Sequence, residues 1–217
     1  MAKLDAKNTQ DIQVLTSTNK ISTKKLPFWR LGIPLLIQLA LILSVPAQAV
    51  YTYVTGKTVI LQTIPVDPYD FLRGYYQTLN YEISDIDTLK TLPGWQEVAG
   101  ENERISRNTI VYVTLEQPKD QSNSELPAAW KPINISLEQP EKLPENQIAI
   151  RGESQDWNIK YGVERYYMPE DQREQINDDI NQTQQTQPEA FVVEVKVNDQ
   201  GKAIPISLWV RDRNYQF

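Results

Sequence analysis

Neither cysteine nor histidine occurs among the 217 residues. Their absence excludes disulfides, thiolate nucleophiles, Cys or His metal sites and a Ser-His-Asp triad. Asp, Glu, Ser, Lys and Tyr are left as the side chains through which any chemistry would run. The lack of thiols is compatible with either redox compartment. Basic residues are in the minority, 22 against 28 acidic ones, for a net charge of -6. Such a chain repels nucleic acid and offers no broad basic footprint.

Charge is also missing locally. Residues 31–54, LGIPLLIQLALILSVPAQAVYTYV, carry none, over a length that suits a bilayer span of about 20 residues. Pro34 and Pro46 argue against a soluble core helix, since proline is better tolerated in membrane helices. Lys20, Lys24, Lys25 and Arg30 precede the run, and basic residues stay on the cytoplasmic side. The expectation is a polar, disordered cytoplasmic tail over 1–30, a transmembrane anchor over 31–54 in a bacterial inner membrane, and an extracytoplasmic domain over 55–217. Trp29, Tyr51 and Tyr53 are placed as interfacial anchors. Ala47-Gln48-Ala49 resembles a signal-cleavage site, which would release the domain after Ala49. The long polar region before the apolar run, and the apolar character continuing past the cut, favour a retained anchor.

Beyond residue 56 the dominant signal is period-2 alternation, which turns one face to a core and the other to water. Val111/Val113/Leu115, Ile133/Ile135/Leu137, Phe191/Val193/Val195/Val197 and Ile204/Ile206/Leu208/Val210 each share a parity. So do Val59/Leu61, Leu79/Tyr81/Ile83, Ile148/Ile150 and Trp157/Ile159/Tyr161/Val163. The fold class expected is mainly β, a small antiparallel barrel or two-layer sandwich of about eight strands, half-wet alternation being typical of antiparallel sheets. Asn198-Asp199-Gln200-Gly201 reads as a hairpin turn. One short surface helix is expected after Pro169, with Ile176 and Ile180 as its apolar face, ending in the Gln/Asn/Thr-rich stretch that follows.

The stretch RGYYQTLNYEI, residues 73–83, reads as a turn entering a mixed strand, with Asp67-Pro68 initiating the turn and Gly74 reversing the chain. With its lead-in PVDPYDFLRG and the preceding apolar run, it resembles the bacterial GDYXXLXY family of membrane-associated proteins. Gly74, Tyr76, Leu79 and Tyr81 match the named motif; Asp67, Pro68, Leu72 and Arg73 match the usual lead-in; YGVERYYMPE, residues 161–170, resembles a second landmark that includes Pro169. The resemblance implies an architecture and an address rather than a reaction, and a multi-pass membrane protein as companion. Tyr75 stands where the family has Asp. A tyrosine, with a pKa about six units higher, cannot replace a carboxylate acid or nucleophile, whereas a turn-shaping Asp is dispensable. The motif is therefore expected to be structural, with no catalytic residue, no metal and no cofactor.

The expected role is contact, most directly with another membrane protein. Its candidate residues are Asp67, Asp70, Arg73, Tyr75, Tyr76, Arg165, Tyr166 and Glu170, because Arg and Tyr are enriched at interfaces. Two alternatives stand beside it. An exported ligand-binding domain would use Trp95, Trp130, Trp157 and Trp209 to line a pocket. A Ser/Lys hydrolase of signal-peptidase type would need a serine beside a neutral lysine, and Ser84, Ser122, Ser124, Ser136 and Ser154 occupy polar loops or strand ends.

Overall fold

A computed structural model describes residues 29–65, 76–101, 103–119, 126–155 and 157–216. The chain divides into two units, Met1–Ile42 and Leu43–Phe217. The expected tail over residues 1–28 lies outside the described residues, as does the lead-in over 66–75.

The first helix, α1 (Trp29–Thr55), is apolar on all sides. Leu36 is 65% and Ile42 68% exposed, as expected for a helix not built to pack within a soluble core. Among the described residues no single helix is long and apolar enough to cross a membrane; Gly32–Ser44 and Pro46–Thr55 meet that test only together, as a bent pair. Pro46 lacks the N–H that would continue the ladder across the break. At the far end the Gly56 N–H bonds to the Thr52 carbonyl at 2.8 Å, and the chain passes at once into a strand.

Eleven strands follow among the described residues: β1 (Lys57–Ile64), β2 (Tyr76–Thr78), β3 (Asn80–Tyr81), β4 (Ile110–Glu116), β5 (Lys131–Ser136), β6 (Gln147–Gln155), β7 (Asn158–Lys160), β8 (Arg165–Tyr167), β9 (Phe191–Val197), β10 (Ala203–Val210) and β11 (Arg213–Tyr215). They form two main antiparallel sheets, ordered β11-β10-β9-β1-β3 and β5-β4-β6-β7, and a separate β2-β8 ribbon. Most of the alternating residues turn to the core, whereas Leu137 and Trp157, 41% and 75% exposed, do not. Val59, Leu61, Val193, Val195 and Leu208 from one sheet join Val113, Leu115, Ile135 and Ile150 from the other in one buried cluster. Single backbone bonds link the borders of the sheets, from Trp130 N–H to Ile60 O and from Arg151 N–H to Gly201 O, both at 2.8 Å.

Three expectations about the elements need correction. RGYYQTLNYEI is not one strand. It divides into β2, which pairs with β8, and β3, which pairs with β1, followed by a 3-10 turn over Glu82–Ser84. The chain changes sheets at Leu79, whose N–H leaves both ladders and donates to the Glu164 carbonyl at 2.8 Å. The parity of β10 breaks at a bulge between Pro205 and Ser207, so Leu208 and Val210 face the core while Ile204 and Ile206 are half-buried.

The third correction concerns helix content. Besides the helix after Pro169, α2 (Ile86–Lys90) and α3 (Trp95–Ala99) are present, with Asp85 capping α2 through the Thr88 N–H. The later helix, α4 (Arg173–Thr186), runs through the Gln/Asn/Thr stretch instead of stopping at it. Thr183 extends the stripe of Ile176 and Ile180, and all three are fully buried. Asp179 fastens α4 to β11 by accepting from Arg213 Nη1 at 2.6 Å and from the Tyr215 hydroxyl at 2.5 Å.

Candidate functional site

The two sequence landmarks are interlocked. In the β2-β8 ribbon Tyr76 faces Tyr167, Gln77 faces Tyr166 and Thr78 faces Arg165. Just beyond it, two tyrosines reach across in opposite directions. The Tyr81 hydroxyl donates to the Val163 carbonyl at 2.7 Å, and the Tyr161 hydroxyl donates to the Ile83 carbonyl at 2.5 Å. Both rings belong to the core, and burial pushes both phenols well above their usual pKa, with the nearby Glu164 carboxylate adding to the shift.

Glu164 shapes the turn between them. Its carboxylate accepts from the Tyr161 N–H at 2.5 Å and the Gly162 N–H at 3.0 Å, while Gly162 takes φ +83, a left-handed conformation that suits glycine. Its own carbonyl receives the Leu79 N–H described above. Sequence reading did not single out Glu164. A carboxylate two residues after a glycine was the available signal.

The expected contact residues and the motif residues separate into three groups. Asp67, Pro68, Asp70, Arg73, Gly74 and Tyr75 lie outside the described residues, and for Tyr76 only the backbone is described. Leu79 and Tyr81 are core residues. Within the second landmark Arg165 and Glu170 are exposed, and Pro169 is half-buried at the start of a 3-10 turn. Tyr166 corrects its expectation as a contact residue. It is buried, with its hydroxyl donating to the Tyr215 carbonyl at 3.0 Å and Ile206 O at 3.4 Å, and Tyr167 points outward in its place.

The side chains named for the alternatives are also placed. Trp157 is 75% exposed beneath the Arg104 guanidinium, Trp130 lies under Lys57, and Trp95, largely buried, lines an open cleft with Leu92, Pro93 and Gln96. Trp209 donates to Glu194 at 3.4 Å. Among the described residues Ser84 Oγ is buried with no hydrogen-bond partner, Ser136 Oγ donates to Glu138 O, and Ser154 is buried in β6. Ser122 and Ser124 lie outside the described residues.

A second polar cluster lies where α1 enters the domain, and no expectation covered it. Asn198 Nδ2 donates to Thr52 Oγ1 at 2.8 Å, both residues being buried, while its Oδ1 accepts from the backbone N–H groups of Gln200 and Lys202. Lys196 Nζ donates to the Tyr53 carbonyl at 2.7 Å and lies 5.2 Å from the centre of that ring. The hairpin thereby grips the last turns of α1. Gly56 makes the grip close, because a Cβ there would meet Lys196 Cβ and the Val197 carbonyl oxygen of the hairpin, both at 3.2 Å.

These features define a β-rich domain whose own fold includes the end of an apolar helix, and whose two tyrosine-bearing segments are locked together by reciprocal bonds. Residues 38–208 match the family described as GDYXXLXY protein, and the chain belongs to that family. No match was found among curated proteins or among solved structures.

Proposed function

We propose that the protein is a single-pass, membrane-anchored extracytoplasmic interaction module that works by contact with another membrane protein and carries out no reaction. The observation that carries this reading is α1, which exposes Leu36, Leu39 and Ile42 and then becomes part of the domain through the Thr52–Asn198 bond. An apolar helix exposed along its length suits lipid, and a helix end gripped by the domain holds that domain close to the surface. Contact is assigned to the outward side of the β2-β8 ribbon, with Arg165 and Tyr167, together with the PVDPYDFLRGYY lead-in. Tyr81 and Tyr161, just beyond the ribbon, support the assignment, since their hydroxyls are engaged by backbone carbonyls and act as scaffold.

Two experiments test the parts separately. Alkaline carbonate should leave the full chain in the membrane pellet, while the Leu36→Arg/Leu39→Arg double substitution should release it, each charge near a span's centre costing about 2.5–3.5 kcal/mol. Release of the unaltered chain would overturn the anchor. A photo-crosslinking amino acid at position 167 should capture a membrane protein in intact cells. Capture at position 157 but not at 167 would move the contact to the Trp157 tip.

A further inference from the structure

We infer that the β9–β10 hairpin rests on the bilayer surface beside α1, with Lys196 and Lys202 held against lipid phosphates. This rests on the anchored reading proposed above. The hairpin's position along the helix is set by a ladder of contacts. Lys202 Nζ meets Gln48 Oε1 at 3.4 Å, the Tyr51 hydroxyl meets Asp199 Oδ2 at 3.4 Å, Asn198 holds Thr52, and Lys196 holds the Tyr53 carbonyl. The two ammonium groups are therefore level with residues 48–53. The uncharged run before Gln48 covers residues 31–47, at most about 25 Å at 1.5 Å per residue and less once the bend at Pro46 is included. With Tyr51 and Tyr53 as the interfacial aromatics, the polar boundary of the bilayer is placed over residues 48–53, where the two lysines lie.

Both lysines are set against neutral oxygens, and among the described residues neither forms an ion pair with a carboxylate. The Lys196 ammonium lies over the half-exposed Tyr53 ring, and Tyr51 is similarly exposed. A long cationic side chain lying along apolar surface with its head in the polar layer, flanked by tyrosines, has the chemistry of an interface anchor. Asp199, the turn's carboxylate, accepts from Tyr51. Glu138, Glu141 and Glu145 belong to the loop that Gln139 ties to the Asp199 carbonyl, and they are expected to stay in water, away from the phosphates.

The absence of cysteine permits single-site spin labelling of the full chain. Labels at Ala40→Cys, Gln200→Cys and Glu141→Cys would be read by collision with oxygen and with a water-soluble nickel complex, in bilayers of phosphatidylglycerol and phosphatidylcholine. The label at 40 is expected in hydrocarbon, that at 200 near the phosphate level, and that at 141 in water. Lys196→Gln/Lys202→Gln should raise nickel access at 200 at least twofold, and Lys196→Arg/Lys202→Arg should restore protection. With 40 in hydrocarbon, a label at 200 as nickel-accessible as that at 141 overturns the hairpin inference and leaves the anchor standing. Depth at 200 unchanged by the glutamine pair overturns the role of the lysines. A label at 40 in water overturns the anchored reading, and this inference with it.

Discussion

Replacing Tyr81 with alanine is expected to remove about 4 kcal/mol of stability, a quarter or more of the roughly 5–15 kcal/mol that a domain holds in reserve. Tyr81 is fully buried between the first sheet and the turn at Gly162, and its hydroxyl donates to Val163 O. Truncation leaves a cavity and an unpaired carbonyl together. Tyr81→Phe isolates the hydroxyl and should cost about 1–2 kcal/mol. Because Tyr161 bonds Ile83 O in the opposite direction across the same two segments, Tyr81→Phe and Tyr161→Phe should couple by at least about 0.5 kcal/mol. Urea unfolding followed by tryptophan fluorescence measures all of these. A Tyr81→Phe chain as stable as the original would show that the interlock contributes nothing.

The same two phenols set an alkaline limit. Their folded pKa values are raised above the ordinary value near 10, so the folded state holds protons that the unfolded state gives up. Stability is complete below pH 10 and falls as pH rises beyond it, toward the folded pKa values. Phenolate absorbance should show Tyr81 and Tyr161 ionising only together with unfolding. Tyr161→Phe should shift the unfolding midpoint to higher pH relative to its own stability at pH 7. Ionisation of all tyrosines before any loss of fold would contradict the burial described.

Gly94→Ala is the second substitution expected to be severe. Gly94 has φ +84, and a Cβ there would lie 2.0 Å from the backbone oxygen of Ile135. That close approach lets the Pro93 carbonyl accept from the Ile135 N–H at 3.0 Å, so residues 93–94 cover the free edge of β5. Left-handed strain alone costs about 1 kcal/mol; a backbone clash brings the total to about 3 kcal/mol or more. In a domain of this size that lowers Tm by roughly 6–12 °C. Gly100→Ala is the control, since Gly100 has φ +62 but nothing within 4 Å of the added carbon. Equal effects at the two positions would mean that edge coverage is unimportant. Opening of that edge should also increase aggregation of the Gly94 variant, an exposed ladder being a template for pairing.

Elements that depend on neighbouring residues alone were legible. The alternation of Val111, Val113 and Leu115 and that of Phe191 to Val197 became β4 and β9, and Asn198–Gly201 became the turn between β9 and β10, with Gly201 at φ +76. The five-residue helices α2 and α3 were not legible, being too short to show a 3.6-residue period. The length of α4 was missed because Thr183, polar by type, serves as an apolar residue on its buried face.

Residue types and spacing were sufficient to exclude whole classes of chemistry, to establish a β-rich domain after an uncharged apolar run, and to connect two landmarks with one family. Which tyrosines lie inside was settled only by the folded chain. Tyr166 and Tyr167 are adjacent and chemically identical, yet pairing with β2 turns one into the core and the other to solvent. A period of two separates two faces of a strand without saying which of them meets a core. The division of RGYYQTLNYEI between two sheets, the Glu164 turn and the grip of the hairpin on Thr52 all join residues far apart in sequence. Such partners are selected by burial and hydrogen-bond satisfaction across the whole domain, and no local pattern records them.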